Sequence, residues 1–149
     1  MLVRVTDLPL DVNEAISAVE TPSAGAVNVF LGVVRDNNLG RRVGHLVYDA
    51  YPSMAERVMR ELGEEAIEKF GILDYAIFHR TGKLAIGEAS LLVTISSGHR
   101  GESFEAGHWL VNSIKKRVPV WKKEVWEDGE EWIEGPESLG IQQAPASMR

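Results

Sequence analysis

The sequence predicts an α+β fold with mainly antiparallel sheet and about three helices. Three observations carry the prediction. Apolar, β-branched runs come in adjacent groups and do not alternate one for one with helical stretches. Only three stretches keep helical spacing, around residues 12–19, 55–70 and 104–118. Clusters of turn formers, Asp36-Asn37-Asn38, Arg80-Thr81-Gly82 and Asp128-Gly129, separate neighbouring strand-like runs.

Leu2 to Thr6 reads as a short strand. Asp11 is placed to cap a helix, with Glu14 as the other half of a capping box, and Val12, Ala15, Ile16 and Val19 form its stripe before Thr21-Pro22-Ser23 ends it. Residues 25–34 are nearly continuous in apolar character, as in a strand buried on both faces. After the polar loop from Arg35 to Arg42, Val43 to Tyr51 returns as a strand, predicting a hairpin-like pair with the run before the loop. Pro52 suits the first turn of a helix whose stripe is Ala55, Val58, Met59, Leu62, Ala66, Ile67 and Phe70, and Gly71 suits its end.

Ile72 to His79 and Ala89 to Ser96 read as further strands, with a short apolar segment at 83–86 between them. Ser103 is a candidate cap for a helix with the stripe Phe104, Gly107, Val111, Ile114 and Val118, and Pro119 stops that helix. The last pair, 120–126 and 130–134, flanks Asp128-Gly129, a two-residue hairpin signal closed by Glu127 and Glu130. Residues 1–134 are expected to form one domain and residues 135–149, rich in Gly, Pro, Gln, Ser and Ala, a flexible tail.

Composition narrows the function classes. The 149 residues carry a formal net charge of −6, against a general DNA or RNA binder. No cysteine is present, which removes disulfides, thiolate metal sites and cysteine nucleophiles together. His45, His79, His99 and His108 have no metal-like spacing, so no metal or cofactor is expected. The start lacks a basic segment followed by an apolar one, and no apolar run reaches the roughly 20 residues of a membrane helix. A cytoplasmic protein without membrane or nucleic-acid partners is the expectation.

Within this acidic chain, Lys115-Lys116-Arg117-Val118-Pro119-Val120-Trp121-Lys122-Lys123-Glu124 gathers five cations around a proline and a tryptophan, suggesting an anionic ligand. Lys115 sits near a helix C-terminus, where the dipole favours a cation for structural reasons alone. If the next segment is a strand, Lys122 shares a face with Val120 and Lys123 with Trp121. A lysine there can be an acid, a base or an amine nucleophile, or an edge-strand charge that discourages aggregation. Chemistry alone leaves both readings standing. Arg35 reads on its own as a solvated loop arginine. His99-Arg100 before a helix start could hold a phosphate or carboxylate, or simply form a turn. A helix from Ser103 to Lys115 is roughly 18 Å long, so one compact site does not hold both ends unless the chain folds back or a second copy contributes.

Five segments in order then carry a resemblance: Phe30-Leu31-Gly32-Val33-Val34-Arg35-Asp36; Tyr48-Asp49-Ala50-Tyr51 with Met54-Ala55-Glu56; His79-Arg80-Thr81-Gly82; Ser96-Ser97-Gly98-His99-Arg100; and Lys115 through Pro119 to Glu124. From about Gly25 to Trp132 the chain resembles the catalytic, large-subunit family of molybdopterin synthase. The resemblance implies an α/β hammerhead-like fold and a sulfurtransferase of molybdenum-cofactor biosynthesis. It implies transfer of sulfur from the C-terminal glycine thiocarboxylate of a small ubiquitin-like carrier subunit to cyclic pyranopterin monophosphate, giving the dithiolene. It implies a homodimer of large subunits within a heterotetramer. Lys115 and Lys122 are implied as catalytic, and Arg35, His99, Arg100, Lys115 and Lys122 as substrate-binding, with Val33, Val34, Lys123 and Glu124 added from the same segments. His99 and Arg100 would come from the neighbouring large subunit. Departures are Asp49 in place of glutamate, Gly98 and Ser103 in place of alanine, and Gly135-Pro136 in place of a basic residue. The competing reading is a non-catalytic binding module for an anionic pterin or nucleotide.

Overall fold

The computed structural model describes residues 1–134; the expected tail at 135–149 lies outside the described residues. The elements run β1 (Leu2–Thr6), α1 (Val12–Ser17), β2 (Ala26–Val33), β3 (Asn37–Asn38), β4 (Arg41–Arg42), β5 (His45–Ala50), α2 (Pro52–Phe70), β6 (Asp74–Arg80), β7 (Gly82–Ala85), β8 (Ala89–Ser97), α3 (Arg100–Arg117), β9 (Val120–Trp126) and β10 (Gly129–Glu134). One sheet has the order β1-β6-β8-β2 and a second β10-β9-β5-β7; β3 and β4 form a separate two-residue ladder. Among the described residues only β1 and β6 pair in parallel and there are three helices, so the fold is α+β with mainly antiparallel sheet.

The first sheet carries the core. Helices α2 and α3 bury Met59, Leu62, Leu110 and Ile114 against Tyr75, Ile77, Val93 and Ile95 on one face. Helix α1 and the turn after it cover part of the other, with Ala15 and Val19 against Ala76, Phe78 and Leu92. There the Thr94 hydroxyl donates to the Ala15 carbonyl at 2.6 Å, closing a helix-end acceptor that would otherwise be buried unpaired. Pro52 opens α2 and Gly71 ends it in the left-handed conformation (φ 69°), where a Cβ would be strained.

Several expectations are corrected. The strand runs flanking the polar loop do not pair with each other. β2 pairs with β8 in the first sheet, while β5 pairs with β7 and β9 in the second, so residues 34–44 cross between sheets. β2 is not buried on both faces. It lies at a sheet edge, and Val27, Val29, Leu31 and Val33 are 40–52% exposed. Glu14 supplies no reciprocal cap: the Asp11 carboxylate accepts the Glu14 N–H, but the Glu14 side chain is drawn away to Arg4 at 2.6 Å.

Helix α3 begins three residues earlier than Ser103, and its buried face is Ser103, Ala106, Leu110 and Ile114, leaving Phe104 65% exposed. Both stripes have helical spacing; the one with small residues at 103 and 106 lets the helix approach the sheet closely. The last hairpin is shifted by one residue, because Trp126 pairs with Gly129 and the loop is Glu127-Asp128.

Candidate active site

The crossing of the chain between the two sheets leaves a cavity of about 350 Å³. The C-terminal end of α3 closes one side, β5 and β9 another, and the end of β2 with the β3–β4 ladder the rest. Local sequence explains how its cations arrive. Lys115 falls in the last turn of α3, where the helix dipole favours positive charge. Pro119 forbids a helical conformation at the residue before it. Val118 is accordingly extended (φ −78°, ψ 128°), and the chain leaves the helix directly into β9. Strand alternation then turns Val120, Lys122 and Glu124 together into the cavity. Arg35 enters from just beyond β2.

Arg35, Lys115 and Lys122 therefore line one cavity with a single carboxylate, Glu124, which is 3% exposed. The Glu124 oxygens accept from Asn38 Nδ2 at 2.5 Å and from Trp126 Nε1 at 2.9 Å. A cation-rich, partly apolar pocket on an acidic protein is suited to an anionic ligand of small-molecule size. Among the described residues no cluster of His, Cys, Asp and Glu could hold a metal ion.

The remaining expected site residues lie elsewhere. Val33 lines the cavity, but Val34 points away from it into a small core with Val43, Leu46 and Leu84. Lys123 faces the opposite side of β9, with Nζ 3.0 Å from Glu130 and 5.3 Å from the Trp132 ring centre, in a groove shared with Asp7 and Thr81. Membership of Lys123 in one site with Lys122 is corrected accordingly, since strand alternation separates them.

His99 and Arg100 are exposed at the start of α3. Arg100 and Lys115 are 15 positions apart in α3, so the two ends stand about 22 Å apart along the axis. The α3 N-terminus also has an internal anion, because the Glu102 carboxylate accepts the His99 N–H at 3.2 Å.

The cavity includes Asn37, Asn38, Tyr48, His79 and Ser90, which the sequence did not single out as site residues. Tyr48 is directly opposite Lys122 in the β5–β9 register, a relation that appears only once those strands are known to pair. His79 was visible in its His-Arg-Thr-Gly segment but had no role there. Its Nδ1 lies 2.9 Å from the Arg80 carbonyl, which can only accept, so Nδ1 carries the proton; its ring meets Tyr48 edge-on at 5.0 Å.

Comparison with known proteins covers most of the chain. The MoaE protein family model matches residues 5–117. A molybdopterin synthase catalytic subunit from Pyrococcus abyssi is 48% identical over 131 residues, 88% of each chain. The crystal structure of molybdopterin synthase from Staphylococcus aureus superposes with a TM-score of 0.85 at 35% identity, covering 87% of this chain and 95% of that one. A Helicobacter pylori chain, solved in a complex of subunits 1 and 2 of molybdopterin-converting factor, shares the fold at 20% identity with a TM-score of 0.69, over 87% of this chain and 88% of that one. With a family model, a close relative and a solved structure agreeing over the same segments, the chain belongs to the MoaE family.

Proposed function

We propose that the cavity between the sheets is where sulfur passes from the C-terminal thiocarboxylate of a small ubiquitin-like carrier subunit to cyclic pyranopterin monophosphate. Family membership makes the chain a sulfurtransferase of molybdenum-cofactor biosynthesis. The observation that carries the assignment to this cavity is the convergence of Lys115 and Lys122 on it from two different elements. Both reactants are anions, and like charges repel on approach. Two ammonium groups, one exposed at Lys115 and one half-buried at Lys122, and the exposed Arg35 guanidinium offset that repulsion.

Lys115 is the catalytic lysine of this reading, assisting thiocarboxylate attack or holding an acyl-linked intermediate. Lys122 holds the substrate anion and the carrier's terminal carboxyl group. A homodimer within a heterotetramer accounts for His99 and Arg100, which bind the pterin phosphate from the neighbouring large subunit. The absence of cysteine supports an external sulfur donor.

The test supplies the protein with thiocarboxylated carrier and cyclic pterin precursor and measures dithiolene product. Lys115→Ala should abolish turnover with the fold and the carrier complex intact. Lys115→Arg separates the two roles: it restores part of the rate if only charge is needed and none if an amine must form the acyl link. A wild-type chain that binds both reactants and makes no product would be the non-catalytic binding module.

A further inference from the structure

Glu124 is a buried carboxylate among cations, and removing either partner of such a group leaves an uncompensated charge. Both of its oxygens accept from neutral donors. Asn38, 86 positions away in sequence, donates to one; the Trp126 indole, which can only donate, holds the other.

The second donor is itself fixed. The Arg41 guanidinium lies 3.5 Å above the Trp126 ring centre, and its Nη2 donates to Asp128 at 3.0 Å. Asn38 and Arg41 are direct partners across the β3–β4 ladder. The two-residue hairpin therefore grips β9 and the β9–β10 turn at three points: Glu124, Trp126 and Asp128.

We propose that the β3–β4 hairpin is a clasp that positions the Glu124 carboxylate at the cavity, with Asn38 and Trp126 holding its oxygens and Arg41 holding the hairpin against β9. This rests on the sulfur-transfer reading of the cavity. Asn38, Trp126 and Arg41 are positioning residues for that reaction. The same hairpin supplies the Asn37 and Asn38 wall of the cavity.

The test uses the full chain with thiocarboxylated carrier and cyclic pterin precursor, and in parallel follows tryptic cleavage after Arg41 and Arg42 in the chain alone. Trp126→Phe keeps a ring beneath Arg41 and removes only the indole donor. It should slow single-turnover product formation by about tenfold, within the roughly hundredfold that a 1 Å misplacement of reacting groups can cost. Asn38→Asp is nearly isosteric but sets carboxylate against carboxylate. It should lose more activity than Asn38→Ala and be cleaved faster than wild type; a residue that only fills space would show the reverse order. Wild-type rates and wild-type cleavage for Asn38→Asp and Trp126→Phe overturn the clasp. An inactive wild type with faster cleavage in Asn38→Asp supports the clasp and overturns the sulfur-transfer reading alone.

Discussion

A Cβ placed on Gly63 would lie 2.2 Å from the Tyr75 ring, too close for any atom pair. Tyr75 cannot retreat, being buried with its hydroxyl 3.1 Å from Glu64. Gly63→Ala should therefore lower stability by about 1–3 kcal/mol in chemical denaturation, although alanine in mid-helix ordinarily gains about 1 kcal/mol over glycine. Overpacking wins because the ring sits in the core and α2 is held to the sheet. Nothing in the sequence flags this glycine, since the clash needs the packing of α2 on β6. Lys115 and Lys122 are the opposite case. Helix end, proline and strand alternation are local rules, and they orient both side chains before any tertiary contact is known.

At the scale of elements, β5 carries a group that makes stability respond to pH. His45 has its pKa lowered below the usual histidine value, first by burial and then by the nearby Lys83 and Lys123 cations. The unfolded chain then takes up a proton first as pH falls. Stability is at its full value above the ordinary histidine pKa of about 6.5 and declines as pH falls through it towards the lower folded value. Thermal melts should show a drop in Tm between neutral pH and about pH 5.5 that His45→Gln reduces. A second decline belongs at more acid pH, where Glu88, held low by the Ala85 N–H and by Arg80, must be protonated. Helix α3 illustrates what periodicity leaves undetermined. The stripe through Phe104 and the one through Ser103 share Ile114 and part towards the start of the helix, where neighbouring residues lie about 100° apart and only the sheet beneath decides between them.

For the whole molecule, the decisive feature is the separation of the two ends of α3. Arg100 and Lys115 are too far apart for one small ligand to touch both within a single copy, so the proposed phosphate grip requires a second copy. Mixing Lys115→Ala with Arg100→Ala, after exchange of subunits, should restore about a quarter of wild-type turnover, because random assortment of a two-fold dimer makes half the molecules mixed and gives each one intact site. Variants that stay inactive on mixing, with exchange verified, place Arg100 outside the shared site.

Sequence alone determined the fold class, the three helices found among the described residues, the placement of most strands and the alternation that sets Lys122 and Lys123 on opposite faces of their strand. These depend on spacing and on proline, and both act within a few residues. Tertiary structure decided that the chain crosses from β2 to a different sheet at β5, that Val34 turns away from the cavity, and that Asn38 reaches Glu124 across 86 positions. Strand pairing and burial are choices among distant partners, and no local pattern contains the energy that makes them.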